Sequence, residues 1–216
     1  IKKDKIKLFL SKLKFPLLFL DFETVQYAVP KYKGTNPYQQ IPFQFSLHVL
    51  DKTNELMHYE FLAEPGTDPR KDFALKLMEL TRGEGTILAY NATFENMILN
   101  YLIKWFPGLK QEVNQRKKRL ADLMLPFQNK DFYLPEMKGS HSIKSVLPAL
   151  FPDLKYDTLQ IQNGHMATSA YENLQYETDM FAALETKNNL LEYCKMDTLA
   201  MVQIYEKLLW STENEL

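Results

Sequence analysis

Hydrophobic and polar positions alternate between two periods along this chain, and the changes of period mark its elements. Ile6, Phe9, Leu10 and Leu13 recur at helical spacing within a basic stretch from Ile1 to Lys14, which predicts a lead-in helix or linker. Leu17 to Leu20 is apolar at every position. Pro16 precedes that run and Thr24-Val25 follows it, so the pattern predicts a strand covered on both faces, ending in Asp21 and Glu23. Residues 26–42 are rich in Tyr, Pro, Gln and Lys and read as a loop. Phe43 to Leu50 and Leu56 to Leu62, joined by the polar turn Asp51-Lys-Thr-Asn54, predict an antiparallel hairpin.

Pro69 to Leu80 predicts a helix stopped at Gly83, Thr86 to Tyr90 a short buried strand, and Thr93 to Phe106 a helix ended by Pro107-Gly108. Gln111 to Leu120 carries Arg116-Lys-Lys-Arg119, and Leu123 to Phe127 is a short apolar patch. Ser142 is a natural N-cap for a helix to Phe151, and Gly164 to Tyr176 has helical character. Asp179 to Trp210 forms one long helical pattern, with Lys187-Asn-Asn189 as its candidate break. Three strands followed by alternating strand and helix predict an α/β domain with a mixed sheet, antiparallel strands first and parallel ones after, flanked by helices. The expected organisation is a lead-in at 1–15, one domain at 16–210 and a tail at 211–216.

Composition narrows this picture. The 216 residues carry 26 Lys and Arg against 27 Asp and Glu, so no overall basic charge signals nucleic acid, although a site built of acids masks a local basic surface. The lone cysteine, Cys194, excludes an internal disulfide and a cysteine-based zinc site. It agrees with a reducing compartment and is expected as a buried structural thiol, so a cytoplasmic location is expected. No run approaches the length of a membrane span, and no membrane partner is expected. The chain opens at Ile1 without an initiator Met, so a fragment or processed product is expected, the last domain of a longer protein with a further N-terminal domain.

Candidate chemistry centres on the acids. On a strand, Asp21 and Glu23 share a face, and two carboxylates so close repel unless a cation neutralises them; oxygen donors alone suit Mg²⁺ or Mn²⁺. Two unrelated surface acids at a strand end are the alternative. Thr86 to Asn96 delivers Asn91 at a strand end and Glu95 in the first turn of a helix, where a glutamate also simply favours the helix dipole. Tyr193 and Asp197 lie four apart, on one face of the last helix.

Asp21-Phe-Glu23, Asn91-Ala-Thr-Phe-Glu95 and Tyr193-Cys-Lys-Met-Asp197 together resemble the motifs of the DEDD superfamily of 3′–5′ exonucleases, tyrosine subtype, with His141-Ser-Ile-Lys-Ser-Val-Leu147 similar to a helix start often found between the last two. The resemblance extends from about Pro16 to Lys207, and the wording also resembles an uncharacterised bacterial domain family assigned there. It implies an RNase H-like fold and a two-metal hydrolysis of DNA or RNA from a single-stranded 3′ end. Asp21 would bridge two Mg²⁺ or Mn²⁺ ions, Glu23 and Asp197 would complete the first site, and Glu95 would support the second. Tyr193 would orient the attacking water, since a phenol is a poor base at neutral pH. Thr24, Asn91, Phe94, His141 and Lys144 would contact substrate. Asn91 serves equally as a turn residue, and His141 as a surface or capping residue. Tyr27, Tyr32, Lys33, Tyr38 and Lys138 are further candidates for substrate surface. The Arg116–Arg119 cluster would hold phosphates or form a solvated helix face. The sequence departs from the family pattern at Glu95, where Asp is usual; its longer arm puts the second metal in doubt. A nucleic-acid-binding or regulatory module without efficient catalysis is the alternative.

Overall fold

A computed structural model describes residues 1–154 and 159–214. Five strands form one sheet in the order β3-β2-β1-β4-β5. They are β1 (Leu17–Val25), β2 (Ile41–Leu50), β3 (Leu56–Leu62), β4 (Thr86–Ala89) and β5 (Leu120–Asp122). β1 to β3 pair antiparallel, whereas β4 and β5 run parallel to β1. The expected α/β mixed sheet, antiparallel strands first, is the observed one.

β1 is central because both its faces are apolar enough to be covered. Leu17 and Phe19 enter one core cluster, and Leu18, Leu20 and Phe22 the other. The second cluster lies under α2 (Arg70–Leu80), α3 (Thr93–Trp105) and α4 (Lys110–Arg119). On the first face pack α1 (Lys3–Leu10), α5 (Leu125–Gln128), α6 (Ile143–Leu150), α7 (Gly164–Leu174) and the 34-residue α8 (Met180–Glu213). Gly85 holds the β1–β4 junction: at φ +95°, a Cβ there would sit 2.1 Å from the Pro16 carbonyl oxygen.

Several expectations change. β1 runs on to Val25, so Asp21 and Glu23 sit inside the strand, with a register irregularity just after Glu23. β5 takes Leu120, read as the end of a basic segment, with Ala121 and Asp122, for which the sequence pattern predicts no element; its pairing with β4 alone supplies its ladder. The basic cluster is neither a solvated face nor a phosphate holder throughout. Arg116 is buried and donates to the Met78 carbonyl (2.8 Å), and Arg119 donates to the carbonyls of Gly85, Thr81 and Glu84. The two guanidiniums staple the loop before β4, satisfying carbonyls that would otherwise be orphaned. α8 does not break near Lys187; that ammonium pairs with Glu64 at 2.8 Å. The stretch expected as a tail from 211 continues α8 to Glu213 with Ser211 and Thr212 buried, and residues 215 and 216 of that tail lie outside the described residues. The lead-in helix is part of the fold, with Ile6 fully buried. Among the described residues no helix is long and apolar enough to cross a membrane.

Candidate functional site

β1 and α8 build the site between them. Alternation along β1 puts Asp21 and Glu23 on the face that α8 covers, and the turn spacing of α8 puts Tyr193 and Asp197 on the side facing the sheet. One carboxylate oxygen each from Asp21, Glu23 and Asp197 lie within 4.8 Å of one another. Glu23 and Asp197 are buried and Asp21 is partly exposed. These acids line a cavity of about 180 Å³ together with Tyr90, Ile143, Lys144, Tyr193 and Met201.

Electrostatics at this cluster are unfavourable without a counter-charge. Burial, then the carboxylates of Asp197, Glu23 and Glu95, raise Asp21 well above the usual carboxylate range. Burial and Asp197 push Glu23 up to about 8, with the Lys144 ammonium opposing. The Cys194 thiol is buried, as expected, with Sγ 3.8 Å from both the carbonyl and a carboxylate oxygen of Asp21. Lys144 donates to the Gln162 carbonyl at 2.8 Å and reaches the Tyr193 hydroxyl at 3.4 Å. Near the start of α7, a Cβ on Gly164 would lie 3.4 Å from a Glu23 carboxylate oxygen, so that carboxylate faces the positive end of a helix.

Glu95 stands outside the group of three but senses it. It is buried, and burial pushes it up to about 8; its own backbone N–H opposes this, while Asp122 and Glu23 add to it. Its Oε2 has no hydrogen-bond partner among the described residues. A buried carboxylate oxygen without a partner is costly. Three clustered carboxylates plus one orphaned buried carboxylate oxygen, all hard oxygen donors, fit a Mg²⁺- or Mn²⁺-type ion.

The other sequence candidates fall elsewhere. Thr24 is buried: its hydroxyl donates to the Gln40 side-chain oxygen and its carbonyl accepts from Thr168. Asn91 takes φ +70° and donates its N–H to Asp122 at 3.0 Å, so it acts as the turn residue. Phe94 packs against the core cluster on the opposite face of the sheet from α8. His141 is exposed and accepts through its carbonyl from the Tyr90 hydroxyl (2.8 Å). Ser142 occupies the N-cap position of α6 without a side-chain cap bond. Tyr27 and Tyr32 stack edge-on within the long loop, and Tyr38 is exposed. The residues that sequence reasoning missed are Tyr90, Ile143 and Met201 in the cavity, and a polar stripe of Gln44, Ser46 and His48 on β2. Period-two polar positions inside an otherwise apolar, fully buried strand were the available signal for the stripe.

A family model described as "Domain of unknown function (DUF2779)" matches residues 18–142. A Mycoplasma pneumoniae protein named "Uncharacterized protein MG366 homolog" is 27% identical over 93% of this chain and 33% of its own length. A Ureaplasma parvum protein, "Uncharacterized protein UU173", is 24% identical over 94% of this chain and 33% of its own. The chain thus spans about a third of the length of the curated relatives it matches. No solved structure matches.

Proposed function

The chain belongs to the DUF2779 family, and we propose that it is a metal-dependent 3′–5′ exonuclease of the DEDD superfamily, tyrosine subtype, with an RNase H-like sheet. The observation that carries this reading is the convergence of Asp21, Glu23 and Asp197 within 4.8 Å, beside Tyr193. The strand order, with antiparallel strands followed by parallel ones, supports it.

Asp21, Glu23 and Asp197 would hold divalent cations, with Glu95, electrostatically coupled to Asp21 and Glu23, as the further carboxylate. Mg²⁺ or Mn²⁺ bound there would supply the Lewis acidity for in-line phosphodiester hydrolysis. Tyr193 lines the cavity, where its hydroxyl would orient the attacking water. Lys144 brings a positive charge to the same cavity, suited to a phosphate oxygen of a single-stranded 3′ end. Ile143 and Met201 supply apolar surface for the terminal nucleoside. A cytoplasmic location accords with the lone buried thiol.

One observation favours a second reading, a nucleic-acid-binding or regulatory module without efficient catalysis: Glu95 lies outside the group of three. Incubation with 3′-labelled single-stranded DNA and RNA in Mn²⁺, comparing wild type with Asp21→Asn, separates the two. Loss of wild-type activity in the variant supports the enzyme. Equal degradation by both assigns the activity to a contaminant and sinks the catalytic reading.

A further inference from the structure

The face of β2 that carries Gln44, Ser46 and His48 is polar where a buried strand would ordinarily be apolar, and all three are buried. In the β1–β2 register, Ser46 is the cross-strand partner of Asp21 and Gln44 that of Glu23. Both residues reach across to α8. The Gln44 side-chain amide donates to the Leu190 carbonyl at 2.7 Å, and the Ser46 hydroxyl meets the Thr198 hydroxyl at 2.7 Å. Leu190 and Thr198 bracket Tyr193 and Asp197 along the helix.

Proton bookkeeping makes Thr198 the hub. Its hydroxyl lies 3.1 Å from the Lys195 carbonyl, which can only accept, so Thr198 donates there. It therefore accepts from Ser46 Oγ and from His48 Nδ1 at 2.8 Å. Ser46, having spent its proton, accepts from His58 Nε2 at 2.9 Å. Each proton has one destination, and both lone pairs of Thr198 are used. His48 is neutral in this arrangement, because burial, His58 and Lys195 push it down to about 4. A hub so satisfied at Thr198 favours one geometry, whereas an apolar seat would let the helix slide; Gln44 adds a single bond, its own side-chain oxygen having no hydrogen-bond partner among the described residues.

We propose that Gln44, Ser46 and His48 are positioning residues that set the register of α8 on the sheet, through the Leu190 carbonyl and the Thr198 hydroxyl, and so hold Tyr193 and Asp197 opposite Asp21 and Glu23. The two strand acids and the clamps of the helix that delivers the third acid are thereby built on paired positions of neighbouring strands. The positioning role rests on the metal-site reading above, whereas the clamp itself does not.

The test uses Thr198→Val, which keeps the volume and deletes the hub, and Thr198→Ser, which keeps the hydroxyl; Ser46→Ala and Gln44→Met remove the strand-side partners should the valine variant not fold. Two readouts are taken on folded protein: the rate at which Cys194, buried between α8 and Asp21, reacts with a thiol-specific reagent, and Mn²⁺ affinity by calorimetry. Loss of a buried hydrogen-bond hub in Thr198→Val is expected to speed Cys194 modification and weaken Mn²⁺ binding by about tenfold each, with Thr198→Ser close to wild type. Wild-type protection of Cys194 in Thr198→Val overturns the clamp. Faster modification with unchanged Mn²⁺ affinity overturns the positioning role, since a merely structural bond gives that result. Faster modification in a protein whose wild type binds no Mn²⁺ supports the clamp and overturns the metal-site reading alone.

Discussion

Neutralising Glu23 by Glu23→Gln should make the metal-free protein more stable at alkaline pH. In the folded chain the Glu23 carboxyl is pushed from 4.5 up to about 8 by burial and by Asp197. A carboxyl that holds its proton more tightly when folded gives the folded state more bound protons than the unfolded state. Its contribution is therefore complete below pH 4.5 and is lost as pH rises toward about 8. His48, held down to about 4, gives the opposite slope below the ordinary histidine range, so the window from about pH 6.5 to pH 8.5 excludes it; Asp21 and Glu95, also raised, add to the wild-type slope there, and the difference between wild type and variant isolates Glu23. Across it, Glu23 accounts for roughly 1.5 pH units at 1.36 kcal/mol each, or about 2 kcal/mol. For a domain of this size that is a fall in melting temperature of roughly 4–8 °C. Thermal denaturation followed by circular dichroism in EDTA, at closely spaced pH values, reads it directly. The variant should match wild type below pH 4.5, where Glu23 is protonated in both states, and its advantage should grow by about 2 kcal/mol between pH 6.5 and pH 8.5. Saturating Mn²⁺ should reverse the wild-type slope, because the ion displaces those protons, and should leave Glu23→Gln nearly unmoved. Parallel wild-type and variant curves in EDTA would refute the picture of a proton-held acid cluster.

Further outcomes follow from the same geometry. Tyr193→Phe should keep Mn²⁺ binding while lowering kcat by on the order of 10²-fold, measured on a 3′-labelled single strand. Glu95→Asp, tested by melting and by nuclease assay, should lower stability by about 1 kcal/mol for the lost buried methylene and change activity, because it moves a carboxylate coupled to Asp21 and Glu23; wild-type activity would mean that the carboxylate plays no part. Lys144→Met should raise KM with little change in kcat if its ammonium binds a substrate phosphate, as steady-state kinetics will show. Gly85→Ala should destabilise by roughly 3 kcal/mol or more, seen as a drop in melting temperature, since the added Cβ collides with the Pro16 backbone.

Much of this protein can be read along the chain because local rules sufficed. A short run apolar on both faces, bounded by Pro16 and leading into Asp21-Phe-Glu23, reads as a covered strand with two like-facing acids, and a sustained helical period delivers Tyr193 and Asp197 to one side. Those elements, their order and the mixed sheet they build belong to the sequence. Tertiary structure decided what local pattern leaves undetermined. β5 is three residues long and exists because β4 offers it a ladder. Arg116 and Arg119 carry the same charge as their exposed neighbours but were drawn inward by unpaired carbonyls. Asn188 and Asn189 weaken a helix in isolation, yet α8 passes through them because its long packed face outweighs a propensity of tenths of a kcal/mol per residue. The meeting of Asp21, Glu23 and Asp197 was tertiary as well, since residues so far apart in sequence acquire a distance only when α8 takes one register on the sheet. That register lies in hydrogen bonds between β2 and α8, and neither segment reveals them without the other.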